Sequence, residues 1–70
     1  MRNNIQRIIE DKGLKVAFVI HEVGLAKSSF YEIMKGNSIP SLANARKISK
    51  VLDTSLDEVF PNDFNKKEEP

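Results

Sequence analysis

Hydrogen-bonding side chains of several kinds are concentrated in the stretch from Lys27 to Lys35, KSSFYEIMK. Within it, Phe30 and Ile33 are spaced so that both lie on one face of a helix. If those two face inward, the outward side chains are Lys27, Ser28, Tyr31, Glu32 and Lys35. They offer ammonium donors, hydroxyls that donate and accept, and one carboxylate acceptor. Because the hydroxyls lack a partnered base, this set predicts hydrogen-bonded recognition of a partner and not nucleophilic catalysis.

Another helical stretch lies directly before Lys27 in the chain, and we expect it to position the helix that begins there. Its apolar residues recur at spacings of three and four, which line one helix face: Val16, Val19, Ile20 and Val23. Gly24 follows, and glycine enters the left-handed conformation that ends a helix without steric cost. Two short helices joined by such a turn form a helix-turn-helix, whose second helix can lie in the major groove of DNA.

In a major groove, the outward side chains would find partners on the base edges. Lys27 can donate to guanine O6 and N7, and Glu32 can accept from the amino group of cytosine. Ser28 can pair with several bases, and Tyr31 can contact a thymine methyl group or a phosphate. The alternative is an ordinary solvated helix in which Glu32 serves only as an ion partner of Lys27 or Lys35.

The sequence before the predicted helix-turn-helix indicates one more helix, from Asn3 to Lys12. Its isoleucines at positions 5, 8 and 9 have helical spacing, and Asn3 or Asn4 can cap its first turn. Gly13 then ends it.

Two short helices are predicted after the pair. The breaker sequence GNSIP at 36–40 leads to Ser41, a good N-cap for a fourth helix from Leu42 to Leu52. The residues expected on its buried face are Leu42, Ala45, Ile48, Val51 and Leu52. The capping box S-x-x-E at 55–58 opens a fifth helix that ends with Phe60. The predicted fold class is all-α, with five helices around one core and no strand.

Length and composition limit the alternatives. Seventy residues form one domain, and a chain of this size buries only about 60% of its unfolded surface, so oligomerisation would stabilise it. There is no cysteine and a single histidine, His21, so we expect neither a metal site nor a cofactor. The chain has no signal-like segment and no apolar run of about 20 residues. We expect a soluble cytoplasmic protein that is not an enzyme and has no membrane partner or small-molecule ligand.

Charge is divided unevenly along the chain. Residues 1–50 carry nine Lys or Arg and four Asp or Glu, whereas residues 51–70 carry two Lys and six Asp or Glu. A positive body with an acidic end is compatible with a phosphate-facing surface on one side, although random clustering on a solvated surface would give the same count. We divide the chain into a folded domain at 1–61 and a polar tail at 62–70 that we expect to be disordered.

Four stretches together resemble the Cro/C1-type helix-turn-helix family, often called Xre-like, of phage repressors and bacterial regulators. They are EDKGL (10–14), VGLAKSSF (23–30), KGNSIPSL (35–42) and ARKISKVLDTSLDEVF (45–60). The resemblance covers nearly all of residues 4–60, and the order of all five helices makes it specific. It implies a compact, lambda-repressor-like DNA-binding domain that works as a dimer on a pseudo-palindromic operator.

The resemblance also implies particular contacts. The first residues of the third helix read base edges in the family, and here those positions are Lys27, Ser28 and Glu32, with Ala26 at the entry. The phosphate contacts that the resemblance implies are at Lys15, Val16, Asn37, Ser38 and Ser41. Their outward positions on the third helix add Tyr31 to the expected base contacts and Lys35 to the expected phosphate contacts. Ser41 can also act only as a helix cap. The basic residues Arg46, Lys47 and Lys50 are expected on a solvated face.

Several residues depart from the family pattern. Lys15-Val16 replaces the polar Ser/Thr-Gln pair, so a phosphate contact at Val16 would come from its backbone N–H. Ile20 replaces a small alanine, and its bulk could alter the angle between the second and third helices. Ala26 replaces the usual Ser/Thr cap, at a cost of about 1 kcal/mol. Met34 stands where an acidic residue is common.

Two questions about partners stay open at this point. A homodimer would use apolar residues near the fifth helix, for which the candidates are Leu56, Phe60, Pro61 and Phe64. Phe18 points sideways or outward, either to pack against the first helix or the tail or to contact another protein. The rival function is accordingly a protein-interaction module, antirepressor-like or antitoxin-like, on the same scaffold. Binding to double-stranded DNA at two salt concentrations distinguishes the two.

Overall fold

Five α-helices follow one another in the computed structural model, which describes residues 3–61. They are α1 (Ile5–Lys12), α2 (Val16–Val23), α3 (Lys27–Lys35), α4 (Leu42–Leu52) and α5 (Leu56–Val59). Between residues 3 and 61 there is no strand, so the all-α prediction is confirmed. None of these helices is long and apolar enough to cross a lipid bilayer.

The first helix begins two residues later than predicted. Asn4 has φ −108° and ψ 17°, outside the helical region, and α1 begins at Ile5. The side-chain Oδ1 of Asn3 accepts a hydrogen bond of 3.1 Å from the backbone N–H of Ile5. Asn3 therefore supplies a capping oxygen from outside the helix, while the side chain of Asn4 makes no capping bond.

Glycine ends both helices of the predicted helix-turn-helix. Gly24 has φ 85°, and its N–H donates to the carbonyl oxygen of Ile20 at 2.9 Å. Gly36 has φ 87° and ends α3. An L side chain is strained in this left-handed region, so these two glycines fix where α2 and α3 stop.

One continuous core contains residues from all five helices. In it, α2 packs against α4 and α4 packs against α5. The buried apolar side chains are Ile5, Ile8, Ile9, Val19, Val23, Phe30, Ile33, Ala45, Ile48, Leu52, Val59 and Phe60. Phe30 and Phe60 are the largest of these that are fully buried.

The buried face of α4 differs from the prediction at three positions. Leu42 is 43% exposed because it is the first residue of the helix, ahead of the buried stripe. Val51 is half-buried. Ser49 is buried instead, and its hydroxyl donates to the carbonyl oxygen of Ala45 at 3.0 Å. This bond satisfies the buried hydroxyl and makes a serine compatible with the core.

Phe60 is also not where we expected it. We expected it to be exposed for a dimer contact, but it is fully buried in the core. Its ring adds buried apolar surface, so Phe60 stabilises the fold of the single chain. Leu56 and Pro61 are half-buried, and Phe64 and the predicted tail at 62–70 lie outside the described residues.

We expect Phe60→Ala to destabilise the domain by about 3–5 kcal/mol, because it removes a fully buried ring and leaves a cavity. A matched control is Phe18→Ala, since Phe18 is 50% exposed and we expect a loss of about 1 kcal/mol or less. Urea unfolding followed by circular dichroism measures both. Equal losses in the two variants would contradict this assignment of the core.

Candidate nucleic-acid interface

The exposed face of α3 is fixed by the two side chains that the helix buries. Phe30 is fully buried and Ile33 is 4% exposed, so the opposite side of α3 faces solvent. Four of the predicted outward side chains are exposed, and Tyr31 is half-buried: the exposed ones are Lys27, Ser28, Glu32 and Lys35. Ser29 is exposed too, and we did not predict it as a site residue. Its place in the first turn of α3 was the signal that could have indicated it.

A groove of about 330 Å³ lies between α2 and α3. It is lined by Ala17, Ile20, His21, Lys27 and Tyr31. Tyr31 and Lys27 line the same groove because they are one helical turn apart on α3 and share a face of the helix. Tyr31 is half-buried at this position, beside residues of α2.

The N-termini of α2 and α3 share an unusual feature, since neither has a side-chain cap. Lys15 and Ala26 occupy the two N-cap positions and make no capping hydrogen bond. The first backbone bonds within these helices are Val19 N–H to Lys15 O and Phe30 N–H to Ala26 O. The three N–H groups before each bond therefore have no partner within their helix. Together with the helix dipole, such groups favour an anion.

The predicted phosphate-contact residues lie at the start of α2, at the end of α3 with the loop after it, and just before α4. Lys15 is exposed just before α2, whereas the half-buried side chain of Val16 packs against the core. Lys15 can therefore contact a phosphate with its side chain, whereas Val16 can do so only with its backbone N–H.

The remaining predicted phosphate contacts follow α3. Lys35 is exposed in its last turn, and Asn37 and Ser38 are exposed in the loop after it. Ser41 is exposed, and its Oγ accepts from the N–H of Asn44 at 3.2 Å, which confirms the predicted cap of α4. Its hydroxyl hydrogen can still be donated to a phosphate oxygen.

Three large apolar side chains are exposed among the described residues: Phe18 at 50%, Ile39 at 58% and Leu42 at 43%. Phe18 points outward from α2, and half of its surface stays open, so packing against α1 does not cover it.

His21 lies next to Glu22, with 3.5 Å between Nδ1 of His21 and Oε2 of Glu22, and the side chain of His21 is 86% exposed. In the described part of the chain, no three His, Cys, Asp or Glu residues are grouped so that they could hold a metal ion.

The helix pair α2–α3, with its glycine turn and exposed polar helix, defines a helix-turn-helix domain. The family model described as Cro/C1-type HTH DNA-binding domain matches residues 4–61, and the chain belongs to this family. It is therefore a DNA-binding regulator by family. A search of curated proteins found no match.

Giving α3 a side-chain cap should stabilise the domain. Ala26 is exposed, with φ −64° and ψ 147°, which is the backbone geometry of an N-cap residue. We expect Ala26→Thr to be about 1 kcal/mol more stable than the isosteric Ala26→Val, because only threonine offers an acceptor oxygen. Thermal unfolding of the two variants under identical conditions tests this. A valine variant as stable as the threonine variant would contradict it.

Proposed function

We propose that this chain is a small sequence-specific transcriptional repressor that places α3 in the major groove of a pseudo-palindromic operator as a homodimer. The observation that carries the proposal is the division of α3 into two faces. Phe30 and Ile33 are buried, while Lys27, Ser28 and Glu32 on the opposite side are exposed. A helix attached in this way can enter a groove without any loss of core packing.

The proposed base contacts follow from the chemistry of these side chains. Lys27 would donate to guanine, Ser28 would pair with more than one base, and Glu32 would accept from the cytosine amino group. Tyr31, half-buried beside α2, would reach a thymine methyl group or a phosphate. Glu32 is repelled by phosphates unless it meets such a donor, so it would contribute selectivity more than affinity.

The proposed phosphate contacts lie on both sides of these residues along the chain. Lys15 and the uncapped N–H groups of α2 would hold one phosphate. Lys35, Asn37, Ser38 and Ser41 would hold others near the end of α3 and the start of α4. These contacts are independent of sequence and fix the register in which α3 meets the bases.

A dimer would place two copies of α3 about 34 Å apart, in successive major grooves on one side of the duplex. Of the residues we considered for its contact surface, Leu56 and Pro61 are half-buried near α5 and remain candidates. Phe60 is withdrawn because it is fully buried. Occupation of the operator would exclude other proteins from the same DNA, which is the simplest route to repression.

The direct test is selection of bound duplexes from random DNA, followed by binding of the selected duplex at two salt concentrations. We expect an inverted repeat with half-site centres about 10 base pairs apart and a steep loss of affinity with added salt. The sequence-reading variant is Lys27→Met, which should lower the discrimination between selected and scrambled duplexes by about 1–3 kcal/mol.

The matched control is Lys47→Met, which removes the same charge from an exposed position on α4. It should change the affinity for selected and scrambled duplexes by the same factor. Loss of discrimination in both variants alike, or in neither, would contradict base reading by Lys27.

A second candidate function, a protein-interaction module, is favoured by one specific observation. The large apolar side chain of Phe18 on α2 is 50% exposed. An antirepressor-like or antitoxin-like partner could contact it. Such a module should have little affinity for any duplex at either salt concentration, so the same experiment distinguishes the two functions.

A further inference from the structure

The side chain of Asn3 joins the start of α1 to the last turn of α3. Its Nδ2 donates to the carbonyl oxygen of Ile33 at 2.7 Å, in a partly buried hydrogen bond. Its Oδ1 accepts from the N–H of Ile5 at 3.1 Å. One amide group therefore uses both of its ends, one to cap α1 and the other to hold α3.

The acceptor in this bond belongs to the structure that ends α3. The carbonyl oxygen of Ile33 also accepts from the N–H of Gly36 at 3.0 Å, while the N–H of Asn37 donates to Glu32 O at 2.9 Å. These two backbone bonds form a Schellman motif. A carbonyl oxygen has two lone pairs, so Asn3 uses the acceptor capacity that Gly36 leaves free.

The neighbouring residue makes similar bonds to a different helix. Asn4 donates from Nδ2 to Glu58 O at 2.6 Å and from its backbone N–H to Val59 O at 2.9 Å. Both acceptors are in α5. Two adjacent asparagines thus connect the same point of the chain to two helices, of which only α3 carries the proposed base-reading face.

We propose that Asn3 is a positioning residue that sets the orientation of α3 for sequence readout. The proposal rests on the proposed function, in which the exposed face of α3 reads DNA. A nine-residue helix is about 13 Å long, so a small rotation at Ile33 displaces Lys27 at the other end. Phe30 and Ile33 attach α3 through apolar contacts, which are non-directional, whereas the bond from Asn3 has a defined direction.

The test uses Asn3→Asp with Asn4→Asp as its matched control. Asn3→Asp keeps an oxygen to cap Ile5 but has no donor for Ile33 O at neutral pH, so it separates the two roles of the side chain. Asn4→Asp removes the exposed side-chain donor to α5, keeps the backbone bond to Val59 O and introduces the same charge. We expect Asn3→Asp to lower the affinity ratio of selected to scrambled duplex by about three- to tenfold, in keeping with the loss of one hydrogen bond. Asn4→Asp should leave that ratio unchanged.

Amide hydrogen exchange without DNA provides a second, independent measurement. In Asn3→Asp, the amides of Gly36 and Asn37 should exchange about three- to tenfold faster, because the last turn of α3 loses its support. In Asn4→Asp they should exchange as in the wild type. If either aspartate variant fails to fold, the pair Asn3→Ser and Asn4→Ser replaces it, since serine is too short to make either long-range bond.

Equal effects of the Asn3 and Asn4 variants on both measurements would overturn the positioning role of Asn3. A wild-type protein that prefers no selected duplex would instead overturn the proposed function. In that case the exchange rates would still report whether Asn3 holds the end of α3.

Discussion

The burial of Phe30 and Ile33 fixes how α3 is attached to the core and which of its faces is exposed. These two side chains attach α3 to the core, and because both must be buried, they fix the rotation of α3 about its own axis. Because successive residues are about 100° apart around a helix, a slip of one residue would bury Lys27 or Glu32. A buried, unpaired charge is strongly unfavourable, so the same apolar pair that stabilises the domain also selects the face that α3 exposes.

The other helices serve to make this attachment possible in a small domain. Isolated helices of eight to eleven residues are marginal in water, so α1 to α4 depend on packing against one another. In the core, α2 packs against α4 and α4 packs against α5, and the ring of Phe60, which follows α5, is fully buried there. Because the domain is small, even Phe60 is needed in the core, and it is therefore unavailable for a subunit contact.

Local sequence signals predicted the helices well. Features that depend on contacts between residues far apart in the chain could not be predicted from the sequence. Gly24 and Gly36 end helices through their own backbone preferences, so the C-terminal ends of α2 and α3 follow from the sequence alone. The burial of Ser49 and Phe60 depends on which helices meet, and periodicity does not contain that information. The bond from Asn3 to Ile33 spans 30 residues, and no local pattern distinguishes it from a simple cap. Four of the exposed residues on α3 were predictable because the two buried neighbours determine them, whereas the exposure of Ser29 and the half-burial of Tyr31 were not predicted.

We propose that the exposed face of α3 is the surface that meets DNA, and one measurement tests this most directly. It is the change in backbone amide chemical shifts when a selected duplex is added to the isotope-labelled protein. We expect the largest changes at Lys27, Ser28 and Glu32, with further changes in the loop at 37–41. Changes confined to Phe18 and its neighbours on α2, or to α4 and α5, with α3 unaffected, would contradict it.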